Sequence, residues 1–113
     1  MTEFEELERG DIVWGTDPLS DKGRPMLVLA TPQFPSHGIQ PITVLISTRT
    51  YHEDSLALRD RDYEGDPLGK RSHVLPWSLA TLNSATEVEY RMTSLVDERL
   101  NDVATKSVGY IAS

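Results

Sequence analysis

The sequence has 113 residues, 38% of them hydrophobic, and this length fits one domain, residues 1–113, with a single compact core. It contains no cysteine, so disulfide scaffolds, zinc–thiolate sites, iron–sulfur clusters and thiol nucleophiles are excluded. Eighteen acidic against eleven basic residues give a formal net charge of -7, the wrong sign for general phosphate neutralisation. A salt-rich cytoplasm, as in a salt-adapted archaeon, relaxes this constraint, because a Debye length of about 3 Å at 1 M salt limits electrostatics to direct contacts.

The sequence carries no signal of membrane insertion or export. No stretch approaches the roughly 18 apolar residues that a membrane span needs. The first ten residues are acidic and polar, unlike a signal peptide. We therefore expect a cytoplasmic protein without a membrane partner.

Apolar and β-branched runs, separated by turn residues, predict short strands in the first half of the chain. Residues 12–14 form one such run, and 26–30 form a continuous apolar run typical of a central strand with both faces covered. Three prolines and a glycine in 31–41 argue against regular strand pairing there. A third strand, 42–48, is β-branched and ends in hydroxyl residues.

The second half continues this pattern with a charged interruption. Residues 55–58 are a fourth candidate strand, and the charged segment 59–70, with two glycines and a proline, is predicted as a mobile loop. Residues 73–75 form a strand that should stop at Pro76. Residues 87–92 alternate polar and apolar side chains, the period of a half-buried strand.

The C-terminal segment, 97–111, has the spacing of an amphipathic helix. Acidic residues at its start suit the helix dipole. Its apolar positions recur every three to four residues, at Leu100, Val103, Ala104, Val108 and Ile111. Short strands followed by one helix predict a mainly β chain with a C-terminal α-helix, arranged as a small barrel with a helical lid.

Several motifs, in their order and spacing, resemble the MazF/PemK toxin family. They are Arg9-Gly10-Asp11-Ile12-Val13-Trp14, Asp17-Pro18, Gly23-Arg24-Pro25 before an apolar strand, the strand 42–48, and Val74-Leu75-Pro76-Trp77. With the C-terminal helix, the resemblance covers almost the whole chain. It implies a homodimeric SH3-like barrel that cleaves single-stranded RNA without metal or other cofactor. The RNA's 2′-hydroxyl would be the nucleophile, and the products a cyclic phosphate and a free 5′-hydroxyl.

The resemblance also implies which residues do this chemistry. The family's active-site arginine maps to Arg24, and its active-site threonine to Ser47, with Thr48 next to it. A pentavalent phosphorane gathers negative charge that a planar guanidinium can clamp with two hydrogen bonds. Since arginine stays protonated, charge stabilisation is the first role of Arg24, and the Ser47 hydroxyl would orient the scissile phosphate.

These residues also have purely structural interpretations. Arg24 could be a turn residue paired with Asp17 or Asp21, as surface ion pairs are common. Ser47 and Thr48 could end a strand and satisfy backbone groups.

Other cations and aromatic residues are candidates for RNA contact. Arg49, Lys70 and Arg71 are predicted to form a local positive patch for phosphates, and solubility is the alternative reason for their presence. Trp14 and Trp77 could stack on bases, but packing in the core or at a dimer interface is favoured.

The histidines do not have metal-ligand spacing. His37, His52 and His73 lie far apart in the sequence, so no metal site is predicted. His52, beside Glu53, is an outside candidate for proton transfer.

The resemblance further implies a growth-inhibiting toxin controlled by a cognate antitoxin. A segment of that partner would occupy the RNA groove, trading its disorder for buried contacts, and the complex could contact DNA. The alternative is a non-catalytic SH3-like module that binds peptide or nucleic acid. A third option is toxicity directed at DNA, for example through gyrase.

Overall fold

The computed structural model describes residues 6–17, 22–35, 38–49, 53–82 and 88–112, and within them one antiparallel sheet of six strands precedes a C-terminal helix. The elements are β1 (Asp11–Thr16), β2 (Gly23–Ala30), β3 (Gln33–Phe34), β4 (Gly38–Ile39), β5 (Ile42–Ser47), β6 (Leu56–Leu58), β7 (Ser72–Thr81), β8 (Val88–Ser94) and α1 (Asp97–Ala112). The sheet order is β6-β7-β5-β2-β1-β8, and β3 pairs with β4 separately. The predicted mainly β chain with a C-terminal helix is confirmed. Within the described ranges, no helix has the length and apolarity to cross a bilayer.

Strand β2 is the centre of the sheet, between β1 and β5. Its residues 26–29 are all buried, which confirms the prediction of a central strand covered on both faces. Leu27 belongs to a core cluster that also contains Leu100 of α1, whereas Met26 belongs to a second cluster with Val13. Successive side chains of a strand point to opposite faces, so the two clusters lie on the two sides of β2.

Strand β7 continues through Pro76, so the predicted stop at this proline is wrong. The pairing of β7 with β5 is irregular here, because Leu45 faces Leu75 while Thr43 faces Ala80. The Leu45 N–H is satisfied by the Ser78 hydroxyl, at 2.8 Å, rather than by a backbone carbonyl. A bulged ladder needs no N–H from the proline, and that is why Pro76 is tolerated inside a strand.

Two segments predicted as irregular are more ordered than expected. Residues 31–41 contain the short ladder between β3 and β4, where Gly38 has φ +69°. Two-residue strands fit between the prolines of this segment, so the expectation of no ladder is wrong. In 59–70, Asp60–Asp62 form a 3₁₀ turn, and Tyr63 is buried in the core and pairs with Leu95.

Helix α1 packs on β7 with a narrower face than the spacing predicted. Leu100 and Val103 are buried, but Val108 and Ile111 are 59% and 69% exposed. The third buried residue of α1 is Ser107, whose hydroxyl donates to the Pro76 carbonyl at 2.7 Å. That carbonyl belongs to the bulged part of β7, so the helix satisfies an acceptor that the ladder leaves open.

Gly10 and Gly109 give a matched pair of substitutions that test the fold. Gly10 has φ +93°, which an L side chain rarely adopts, so Gly10→Ala should lower the free energy of unfolding by about 1–2 kcal/mol. Gly109 lies in α1 with open space around its Cα, so Gly109→Ala should raise it by about 0.5–1 kcal/mol. Urea denaturation measures both free energies, and a Gly10→Ala protein as stable as the wild type, or more stable, would contradict the backbone described for Gly10.

Candidate functional site

The pairing of β2 with β5 brings Arg24 and Ser47 into one region of the surface. Met26 pairs with Leu45, and Leu27 with Val44. Continued by two residues, this register sets Arg24 opposite Ser47. Both residues line a groove of about 570 Å³. We call it the Arg24 groove.

Five of the six sequence-predicted site residues line the Arg24 groove. They are Arg24, Ser47, Thr48, Arg49 and Lys70. The sixth, Arg71, lies outside it and lines an adjoining groove of about 400 Å³, together with Arg59 and Tyr63. We call this second depression the Arg59 groove. The structure therefore brings together residues from β2, β5 and the segment before β7, and their chemical roles stay predictions.

Arg24 is paired with Asp17, the first of the two structural partners considered from the sequence. Its Nε lies 2.8 Å from Oδ2 of Asp17, whose side chain is 5% exposed, while the Arg24 side chain is 31% exposed. The Nε–H makes no hydrogen bond in this arrangement, so the contact is an ion pair. Asp21 lies outside the described residues. The carboxylate thus holds the inner edge of a guanidinium that is still partly open to the groove.

Asp17 itself is held where the β1–β2 loop closes. Its backbone N–H donates to the Lys22 carbonyl at 2.8 Å, joining the two ends of the loop. Arg24 pairs with Gly15 in the β1–β2 ladder, so its cross-strand neighbour on β1 has no side chain. The loop and the ladder together fix where the ion pair lies.

Ser47 also has the structural role that its sequence position allowed. Its hydroxyl oxygen accepts the Arg49 N–H at 3.0 Å, which turns the chain at the end of β5. Ser47 is 6% exposed, whereas Thr48 and Arg49 are exposed. A hydroxyl that accepts one hydrogen bond still carries a proton that it can donate. Thr48 is the more accessible of the two adjacent hydroxyls.

Trp14 is a groove residue that the sequence interpretation did not favour. Its ring lies over Gly23, where an added Cβ would come within 2.6 Å of the indole Nε1. Any side chain at this position would displace the ring. Trp14 lines the Arg24 groove together with Pro25 and Met92, so the groove has an apolar surface beside its cations. The glycine before Arg24 was the signal in the sequence for this close approach.

Tyr63 anchors the segment that carries Lys70. Burial raises the pKa of the Tyr63 phenol, more than hydrogen bonds with the Leu68 backbone and Ser72 lower it. The phenol is therefore neutral at physiological pH. The Ser72 hydroxyl donates to the Lys70 carbonyl at 2.9 Å. These contacts tie the loop before β7 to the core, so Lys70 projects from an anchored backbone.

The two grooves concentrate the positive charge of an acidic chain. They are lined by six of the eleven lysines and arginines, namely Lys22, Arg24, Arg49, Arg59, Lys70 and Arg71. Among the described residues that line them, Asp60 is the one acidic side chain. Local charge at this surface therefore has the opposite sign to the net charge of -7.

The histidines are not part of the lining of the Arg24 groove, as far as the structure describes them. His73 is the β5–β7 ladder partner of Ser47, so the two side chains share one face of the sheet, but His73 does not line the Arg24 groove. His37 and His52 lie outside the described residues. In the part of the chain that the structure describes, no three histidines or carboxylates come together as metal ligands.

Comparisons with known proteins do not assign this chain to a family. No family model matches it, and no curated protein gives a significant match. The chemistry of the Arg24 groove is therefore what bears on function.

The buried partner of Arg24 can be tested without a substrate. Asp17→Asn should lower the free energy of unfolding by about 1–3 kcal/mol, because it leaves the guanidinium beside a neutral amide. Asp66→Asn, at an exposed position, is the matched control and should change it by less than about 0.5 kcal/mol. Equal effects of the two substitutions in urea denaturation would show that the ion pair does not stabilise the loop.

Proposed function

We propose that this chain is a toxin-like endoribonuclease of the MazF/PemK kind, with an SH3-like barrel that cleaves single-stranded RNA without metal. The observation that carries the proposal is the convergence of Arg24, Ser47 and Thr48 on one cationic groove. Arg24 and the adjacent pair of Ser47 and Thr48 were identified from two separate sequence motifs. The six-stranded antiparallel sheet with its C-terminal helix is compatible with such a barrel.

The proposed reaction is an internal transfer at one phosphate. The RNA's 2′-oxygen attacks the adjacent phosphorus and loses its proton, the bond from phosphorus to the 5′-oxygen breaks, and that oxygen takes up a proton. Negative charge on the non-bridging oxygens rises in the transition state. The Arg24 guanidinium stabilises that charge with directed N–H groups, and Asp17 keeps the guanidinium in place.

The other residues of the groove bind and orient the strand. A hydroxyl of Thr48 or Ser47 donates to a phosphate oxygen, and Arg49 and Lys70 contact neighbouring phosphates. The indole of Trp14 offers a face on which a base can stack. Positioning matters because an error of about 1 Å at the reacting atoms can reduce the rate a hundredfold.

The partner proposed for this groove is a cognate antitoxin, and the two proteins would form a cytoplasmic toxin–antitoxin system. An acidic, disordered segment can bind the exposed cations and cover Arg24, which inhibits cleavage and relieves growth inhibition. Contact with DNA would then occur through the antitoxin in the complex.

The alternative is a non-catalytic module of the same fold that binds peptide or nucleic acid. The ion pair between Arg24 and Asp17 favours it, since that contact by itself gives Arg24 a structural role that needs no reaction. Both proposals require RNA or peptide to occupy the groove, and they differ in whether the strand is cut.

Cleavage of RNA separates the two proposals. Purified protein should cut single-stranded RNA in EDTA and leave 2′,3′-cyclic phosphate ends, and Arg24→Ala should reduce the rate at least a hundredfold because it removes the charge-stabilising group. A time course of cleavage gives the rate, and end-group analysis of the products identifies the cyclic phosphate. Both measurements are made in low and in high salt. Intact RNA with saturable binding would support the non-catalytic module instead.

Arg61→Ala is the matched control for this experiment. Arg61 is exposed and lies outside the Arg24 groove, so its removal changes the net charge equally and should leave cleavage unchanged. Equal cutting by the Arg24→Ala variant and the wild type would refute the catalytic assignment.

A homodimer is the expected assembly, and exposed apolar residues at the C-terminal end of α1 support it. Tyr110 and Ile111 are 42% and 69% exposed, and Tyr110 meets the edge of Trp77 with ring centroids 6.1 Å apart. Apolar surface of this kind is typical of a protein interface.

Sedimentation measures whether this surface joins two copies. The wild type should sediment as a dimer, and Ile111→Glu should shift it to a monomer because a charge is costly to bury in an interface. Thr105→Glu, at an exposed position on the polar side of α1, should leave the dimer intact. A wild-type monomer would contradict the proposal.

A further inference from the structure

We propose that the Arg59 groove is a second subsite for single-stranded RNA, which binds the phosphates of the strand after it leaves the Arg24 groove. This inference rests on the proposed function, because the strand is taken to enter through the Arg24 groove. It adds Arg59 as a binding residue and gives Arg71 a location apart from the reacting phosphate. It also gives the flanking strand a path, past Gly69 and Lys70.

The two grooves adjoin and share part of their lining. Leu68, Gly69 and Lys70 line both of them. At Gly69, nothing lies within 4 Å of the place that a Cβ would take. The shared boundary therefore carries no side chain at this residue, and the space beside it is open. A strand can cross it without displacing a side chain, and Lys70 lies beside the crossing.

The charges of the Arg59 groove suit a polyanion. Arg59, Lys70 and Arg71 are exposed cations, and Asp60 is the one acidic side chain among the described residues that line it. Two of the cations are arginines, whose planar guanidinium groups match phosphate oxygens in pairs. Among the described residues that line the two grooves, no carboxylate lies in the shared segment of Leu68, Gly69 and Lys70, so the excess of positive charge continues across Lys70.

The backbone that presents these cations is anchored. The Arg59 N–H donates to Oδ2 of Asp62 at 2.8 Å, and the Val96 N–H donates to the Asp62 carbonyl at 2.9 Å. Tyr63, which follows, is buried in the core. An anchored loop loses little conformational freedom when a ligand binds, so its cations are preorganised for phosphate.

The positive surface ends beyond Arg59. A third cavity, of about 520 Å³, lies beside α1. It is lined by Arg59, which borders both depressions, and by Arg61 and Arg99, together with Asp62, Glu98 and Asp102. Arg99 is already engaged there, since its Nη2 donates to the Ala57 carbonyl at 2.8 Å and its Nη1 contacts Asp102 at 3.2 Å. Balanced charges make this cavity a poor site for phosphates. Arg61 is therefore a close neighbour of the subsite that does not belong to it.

Binding of oligonucleotides of two lengths tests this subsite in the full-length protein. The probes are 2′-O-methyl RNA oligomers of four and twelve nucleotides, which keep their phosphates but lack the nucleophile. For the twelve-nucleotide probe, Arg59→Gln with Arg71→Gln should weaken binding about tenfold at 0.1 M salt. The slope of log K against log salt is negative, and each substitution should reduce its magnitude by about 0.7, the value for one lost single-strand phosphate contact. The four-nucleotide probe should lose less than twofold.

Arg61→Gln is the matched control, because it removes one exposed arginine two residues from Arg59. It should leave the affinity and salt slope for both probes unchanged. Equal losses with Arg61→Gln, or equal losses for both probe lengths, would overturn the subsite by showing a general field effect. Binding of polyglutamate but not of the twelve-nucleotide probe would overturn it in favour of an acidic peptide.

Cleavage assays keep this result distinct from the catalytic proposal. The Arg59→Gln and Arg71→Gln variants should raise the KM for long RNA, and by a larger factor than the KM for short RNA. If no variant and no wild type cuts RNA but the length-dependent binding holds, the nuclease proposal fails and the subsite stands. If RNA is cut but both variants bind the long probe as the wild type does, the subsite fails alone.

Discussion

The pairing of β2 with β5 is the constraint on which the site depends. A ladder with Met26 opposite Leu45 has one register, and a slip of one residue would turn every side chain of β2 to the other face of the sheet. The two apolar clusters on either side of β2 prevent that slip, since Met26 and Leu27 are both fully buried. The same packing that stabilises the core therefore determines that Arg24 and Ser47 line one groove.

A buried carboxylate and an acidic surface shape the electrostatics of this groove. The buried carboxylate of Asp17 pairs with Arg24, which holds the guanidinium in position and partly neutralises its positive charge. The remaining cations are exposed along the groove edges, and most acidic residues of the chain lie elsewhere. Net charge alone would argue against a polyanion ligand, yet a phosphate experiences the nearest charges first, and more so in high salt.

Two departures from the predicted elements, at Pro76 and on the buried face of α1, have a common cause in hydrogen bonds made by side chains. Pro76 should end a strand, but the hydroxyl of Ser78 replaces the missing ladder contact and that of Ser107 satisfies the Pro76 carbonyl. Short polar residues of this kind carry weak sequence signals, because their role depends on which strand or helix faces them. The same reason explains why Ser107, rather than Val108, lies on the buried face of α1.

Local pattern in the sequence determined the strands around residues 12–14, 26–30 and 42–48, the C-terminal helix and the identity of the candidate site residues. These features follow from periodicity and from short motifs, which act between residues close in the chain. Only the tertiary structure decided that Trp14 lies over Gly23, that Asp17 rather than solvent meets Arg24, and that Arg59 adjoins the same cationic surface. Such contacts depend on strand register and loop closure, and a linear pattern does not encode the distances between segments that are far apart in sequence.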